Sequence, residues 1–304
     1  MSADKITRKD VLLYGGAAAG GLVAGGAAVA GLAAALEARK EPLAVEGAPI
    51  VARRVSALPA EDPGSGTWRR AGRVRVPLLP QRIVPPFLER AAVSELHARA
   101  LHDDVELALL LEWSDPEVDD LDGIRRYHDA VAVQLAVHQG SLPPLTMGGP
   151  GSPVHLLQWR ATWQRDLETG GKTGVDQIYP NVVHDVMPDD VLPGSTSQIY
   201  WVGREAGNPL SLAVRSTPVE EIVAEGFGTT THLPTQTARG FGVHEGGRWR
   251  VVLALPVARP GVGGPLAPGT TWPIAFAVWA GSEENRGGRK HIANWHSLVV
   301  EGPA

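Results

Sequence analysis

Lys290 is the side chain most suited to chemistry and least explained by composition. The chain has five lysines against twenty-three arginines, and only Lys172 and Lys290 follow residue 40. A bias toward arginine accounts for the low count, but not for a lysine kept at the edge of the apolar run 294–300. A free amine titrates near a pKa of about 10.4, and burial against apolar strands favours the neutral form that can offer a lone pair. Met147 is the second candidate, one of two methionines after Met1, with Met187. The run Thr146-Met147-Gly148-Gly149 reads as a loop. Methionine ordinarily fills gaps in a core, whereas flanking glycines also let a bulky planar group approach the backbone. On the residues alone the core role is the plainer reading. Ten histidines are present, and His138, His155, His184, His291 and His296 fall near these two positions. His155 and His291 read most naturally as core residues or as supports for a ligand. Cysteine is absent, which excludes disulfides, thiolate clusters and c-type haem attachment.

Such side chains need a rigid frame. Residues 272–300 contain two apolar runs, 273–279 and 294–300, around a polar loop rich in Gly, Glu and Arg, the pattern of two paired core strands. Further short apolar runs at 73–79, 93–101, 105–113, 129–137, 154–163 and 248–255 alternate with turn signals. With Gly and Pro supplying sixty-one residues, the expectation is an all-β, antiparallel β-sandwich with long loops. The expected domain is 67–304. A Pro- and charge-rich tether precedes it at 40–66, and an N-terminal segment occupies 1–39.

Within that segment, residues 11–36 are uncharged and follow Lys5, Arg8 and Lys9. As a helix they would reach roughly 39 Å, enough to cross a hydrocarbon core of about 30 Å. An uncleaved anchor is the preferred expectation and a cleaved export signal, with small residues at 33–35, the competing one. Either places the domain outside the cytoplasm.

Several chemistries are excluded. Formal net charge is −5, with no dense basic block after Lys40, against nucleic acid as partner. Gly171-Lys172-Thr173 is no phosphate loop, because Asp166 stands where G-x-x-x-x-G-K-[ST] requires glycine. There is no G-x-S-x-G elbow and no H-E-x-x-H or H-x-E zinc spacing. The acidic run 114–123 lacks the order of a dedicated calcium loop and reads as solvated.

The C-terminal stretch, IAFAVWAGSEENRGGRKHIANW, resembles a segment of the haem b (gamma) subunits of type II DMSO reductase family molybdoenzymes, with His291 where that family often has Ser. The stretch DAVAVQ…MGGPG…WRATWQ (129–164) resembles their methionine-bearing segment, and the resemblance spans roughly 62–300. It implies that Met147 and Lys290 are the axial ligands of one haem b. It further implies a non-catalytic electron-transfer subunit that partners a molybdopterin catalytic subunit, an iron-sulfur subunit and a cytochrome or quinone-linked carrier. Arg286 and Arg289 lie close enough in sequence to face haem propionates, although a solvated hairpin is the plainer reading. The alternative is an extracytoplasmic ligand- or carbohydrate-binding sandwich without haem, which would display exposed tryptophans among the nine present. A third reading is a haem sandwich acting alone as a sensor.

Overall fold

The computed structural model describes residues 47–170, 179, 181, 208 and 215–303. The expected anchor or export segment, Lys172, His184 and Met187 lie outside the described residues. Among those described, no helix is long and apolar enough to cross a membrane.

The strands are β1 (Ile50–Arg54), β2 (Val74–Pro77), β3 (Leu79–Pro80), β4 (Glu95–His102), β5 (Glu106–Ser114), β6 (Ala130–Ala136) and β7 (Val154–Arg160). They continue with β8 (Val219–Ala224), β9 (Thr231–His232), β10 (Arg239–His244), β11 (Arg248–Pro256), β12 (Thr271–Trp279), β13 (His291–Ile292) and β14 (His296–Val300); one helix, α1 (Ala161–Glu168), follows β7. Hydrogen bonding runs in the order β10-β11-β5-β4-β1-β14-β12-β6-β7-β8-β9.

Burial shows that this path is folded back on itself as a sandwich. Leu107, Leu109 and Leu111 of β5 and Val251, Leu253 and Leu255 of β11 share one cluster with Val131, Val133 and Leu135 of β6 and Ile274, Phe276 and Val278 of β12. These sets recur every second residue, so each strand turns one face to the common core. Each such side chain contributes about 1.5–3 kcal/mol by leaving water. The sheet half with β5 is covered outside as well, where Trp68 packs on Ala108, Leu110, Val252 and Ala254. The outward face of the other half carries the site.

The expected β-sandwich is therefore present, with three departures. Residues 50–54, read as tether, form β1. This strand pairs in parallel with β14 at Ile50–Ala52 and with β4 at Ala52–Arg54, linking the two halves; five residues that change partners midway leave no alternating pattern to read. Residues 161–163, read as strand, begin α1. There Gln164 accepts from the Trp159 indole (3.0 Å) and the Gly242 N–H (2.6 Å) and donates to the Gly242 carbonyl (2.8 Å), a long-range tie invisible in local pattern. Strands β8 and β10 were not anticipated. In β8 the buried pair Glu220 and Glu221 hides the strand, because each carboxylate is matched across the fold: Glu220 by Arg160, and Glu221 by the Ala238 N–H at 2.8 Å.

Candidate functional site

Cross-strand register places three alanines of β12 and β6 on one outward face with larger residues of β6, β7 and β8. Ala275 pairs with Gln134 and Ala277 with Ala132; across β6, Gln134 pairs with Leu156 and Ala132 with Gln158. Leu156 then pairs with Ile222 and Gln158 with Glu220. The alanines leave a flat floor where larger β-formers would fill the space. Above it lies a cavity of about 550 Å³, within the range of small-molecule sites.

Met147 enters this cavity from the loop between β6 and β7. The Pro143 carbonyl accepts from the buried Trp295 indole (3.0 Å), the Gly148 N–H donates to the Pro144 carbonyl (2.9 Å), and the Met147 carbonyl accepts from the Gly226 N–H (2.8 Å). Leu142, Leu145 and Met147 pack on Leu156, Ile222 and Ala275. Met147 itself has φ of 65°, a left-handed conformation that costs a non-glycine residue about 1–2 kcal/mol; such strain persists where surrounding structure enforces it. Gly148, at φ +78°, has no room for a side chain, since a Cβ would lie 2.6 Å from the Ser152 carbonyl oxygen and 3.0 Å from that of Ala224. Gly148→Ala is accordingly expected to lower Tm by roughly 5 °C and to dislodge Met147 from the cavity. Thermal melts and ligand titration of the variant would check both effects, and a native Tm with native ligand affinity would refute them.

Lys290 enters from the other side, on the hairpin between β12 and β13. Mutual backbone bonds of Arg286 and Arg289 (3.1 and 2.9 Å) close a two-residue turn at Gly287-Gly288, and the Trp279 indole donates to the Gly287 carbonyl (3.0 Å). The 81–88 loop walls this side. Gln81 accepts from the Ile83 and Val84 N–H groups (2.6 and 2.8 Å) and donates to the Gly288 carbonyl (2.9 Å), while its own N–H donates to the Lys290 carbonyl (2.9 Å). The Lys290 ammonium lies 5.2 Å from the centroid of the Trp279 ring. It has no hydrogen bond or ion pair among the described residues. The stem is half-buried because the cavity itself admits solvent, but the amine is deep enough that burial alone pushes its pKa down to about 8. An unpaired amine in apolar surroundings is costly unless something binds it.

Of the histidines singled out in the sequence, those among the described residues lie outside the cavity lining. His291 is fully buried; its Nε2 accepts from the Ala92 (2.9 Å) and Val93 (3.2 Å) N–H groups, and Nδ1 faces the Val278 carbonyl at 3.3 Å. Burial holds its pKa down, so it is a neutral structural residue. His155 is buried against Glu221, and His138 is exposed. Arg286 lines the cavity with its guanidinium 4.3 Å over Tyr127, while Arg289 is not in the lining. Gln134, Gln158 and Arg160, which the sequence did not single out, all face the cavity. The Gln134 amide is buried with an Nε2 that has no hydrogen-bond partner among the described residues. Their signal was faint, two glutamines and an arginine on the alternate face of β-patterned runs.

The acidic run is not simply solvated. Asp129, at the start of β6, accepts from the N–H groups of Asp119 (2.8 Å) and Gly281 (2.8 Å) and from the Trp249 indole (2.9 Å), pinning the 115–128 loop to the turn after β12. Asp115 is buried against it. Burial raises Asp115 to about 6, and burial together with the Asp115 charge raises Asp129 to about 7. Both values exceed the ordinary carboxyl value of about 3.9, so the pair's stabilisation is complete below that value and is lost as pH rises through 6 to 7. Asp115→Asn should shrink the Tm difference between pH 5 and pH 8 by several degrees. Melts across that range test it, and an unchanged slope would refute the account of two carboxyls raised by burial.

A β-sandwich with a mostly apolar cavity on one outer sheet face, entered from opposite sides by a thioether and an unpaired amine, defines a ligand-holding module. The chain belongs to the family described as Ethylbenzene dehydrogenase, whose pattern it matches over residues 65–291; this bears out the resemblance to type II DMSO reductase gamma subunits. It is 25% identical over 264 residues to a Haloferax mediterranei protein named as a respiratory nitrate reductase heme subunit, covering 83% of this chain and 76% of that one. It is 27% identical over 246 residues to the chlorate reductase subunit gamma of Ideonella dechloratans, covering 79% of each. In solved structures, a family 9 carbohydrate binding module from Caldicellulosiruptor kristjanssonii in complex with glucose aligns at a TM-score of 0.41 and 10% identity, covering 84% of this chain and 96% of that one.

Proposed function

We propose that this chain is a non-catalytic electron-transfer subunit that holds one b-type haem between Met147 and Lys290. The observation that carries the reading is that these two residues, 143 positions apart in sequence, line one cavity. The names of the two relatives, a heme subunit and a gamma subunit of oxyanion reductases, support the same cofactor and the same setting. The residues fit the group: an alanine floor for a planar body, a thioether, an amine already eased toward neutrality, and an unfilled amide donor at Gln134.

Bound there, haem would supply a one-electron couple, with Met147 and Lys290 the residues that would hold it. Met147 offers a neutral sulfur, held at a fixed point by its strained backbone and by Trp295. Lys290 would offer its nitrogen once deprotonated, with Trp279 and the 81–88 loop walling the side from which it enters. Electrons would pass between the iron-sulfur subunit of a molybdopterin enzyme and a cytochrome or quinone-linked carrier. The complex would lie outside the cytoplasm, tethered by the N-terminal segment.

All eight tryptophans among the described residues are buried, so none of them offers the exposed stacking platform that a carbohydrate-binding role requires. The decisive experiment is an oxidised and reduced visible spectrum of the purified full chain with a pyridine haemochrome assay. A low-spin b-type spectrum is expected. A colourless protein, after expression with ample haem and the partner subunits, would overturn the proposal.

A further inference from the structure

The cavity is uneven. Its floor and the flank beneath Met147 are apolar, but on the β7 flank Gln158 and Arg160 stand two residues apart on the same outward face. Segment 127–129, which contributes Tyr127 and His128 to the lining, is tied here by the bond from the Ala161 N–H to the Asp129 carbonyl (2.9 Å).

Arg160 is held as few cavity residues are. Its Nη2 donates to Gln158 Oε1 (3.1 Å) and to the Glu220 carboxylate, its guanidinium lies 4.4 Å over the Trp163 ring, and 14% of its side chain is exposed. One ion-pair partner and one aromatic face therefore fix the plane of the fork. Yet the fork is only partly used: Nε is buried without a partner, and Nη1 makes no hydrogen bond among the described residues. Guanidinium offers five N–H donors in rigid geometry matched to a carboxylate. An oriented arginine with unfilled donors, facing a cavity whose body is apolar, describes the complement of a ligand with an apolar plate and a carboxylate at its edge. Arg286 is a poorer candidate, being 45% exposed, stacked on Tyr127 and within 4.0 Å of Glu284.

We infer that Arg160, steadied by Glu220, Gln158 and Trp163, anchors a carboxylate of the cavity's occupant; on the haem reading, on which this rests, that carboxylate is a propionate. Arg160 is then a positioning residue that sets how the macrocycle sits relative to Met147 and Lys290.

The test reconstitutes the haem-depleted full chain with iron protoporphyrin IX or with its dimethyl ester, which keeps the ring and removes the carboxylates. Wild type should bind the ester roughly tenfold more weakly, the scale of a lost charge-assisted contact. That ratio should shrink several-fold toward one in Arg160→Gln and persist in Arg286→Gln. Arg160→Lys retains a cation for Glu220, so it guards against simple misfolding, and it too should shrink the ratio because ammonium lacks the fork. A wild type indifferent to esterification, or Arg160 variants with the wild-type ratio, would overturn the assignment while leaving the haem reading intact. A wild type that binds neither porphyrin would overturn both.

Discussion

Replacing Lys290 by leucine is expected to raise the thermal stability of the haem-free chain while abolishing its low-spin spectrum with haem. Both effects follow from the same feature, an amine with no hydrogen-bonding or ionic partner in the described structure and a pKa pushed down to about 8 by burial. The folded-state value lies below the ordinary one, so at neutral pH the protonated amine opposes folding, and leucine removes that opposition. Solvent reaching the cavity moderates the gain to on the order of 1 kcal/mol, or a few degrees in Tm. The same depression prepares the residue to ligate: near pH 7 it stands about one unit from neutrality rather than more than three, and each unit is worth about 1.4 kcal/mol. Without the lone pair, the iron should become high-spin, and haem affinity should fall by more than the roughly 10–100-fold that outer contacts contribute at metal sites. Lys290→Arg separates ligation from charge, because guanidinium keeps the cation and offers no lone pair at accessible pH. A low-spin spectrum retained in Lys290→Arg would remove Lys290 as the ligand, and a leucine variant less stable than wild type would remove the argument from the cost of burying the amine.

Filling the floor should be as damaging to binding while leaving the stability of the fold nearly unchanged. Ala277 pairs with Ala132 on one side and Ile292 on the other, and its methyl faces the cavity. Leucine at a packed site forces neighbours aside at a cost of about 1–3 kcal/mol, but here the added carbons enter open space. Ala277→Leu should therefore leave the Tm of the haem-free chain within a few degrees and weaken haem binding by roughly 100-fold or more, since a close-packed planar ligand cannot share that volume. Calorimetric melts and haem titration measure the two separately. Unchanged affinity would place the cofactor off this floor; collapse of the fold would show that the space is not free.

The sequence carried the fold class and both ends of the site. Short apolar runs between turn signals announced β5, β6, β11 and β12 as core strands, because run length and flanking turn residues are local properties of the chain. Scarcity made Lys290 conspicuous, and paired glycines after Met147 marked a loop that would let a planar group near the backbone. Residues whose state depends on distant partners were not legible. In β8, Glu220 and Glu221 look like surface charge until Arg160 and the Ala238 N–H are brought to them from elsewhere in the chain. The first strand lies in Pro- and charge-rich sequence and is a strand only because β14 and β4 offer it edges. Arg160 was passed over for Arg286 and Arg289, since nearness in sequence to Lys290 is a poor guide to nearness in a sheet, where register decides which side chains share a face. The sequence by itself thus determined which residues could ligate and which runs could be strands, both matters of residue type and local period. Only the tertiary structure decided that Met147 and Lys290 open into one cavity, that alanines at 132, 275 and 277 form its floor, and that the lysine has no counter-charge among the described residues, because each of these depends on cross-strand register between segments more than a hundred residues apart.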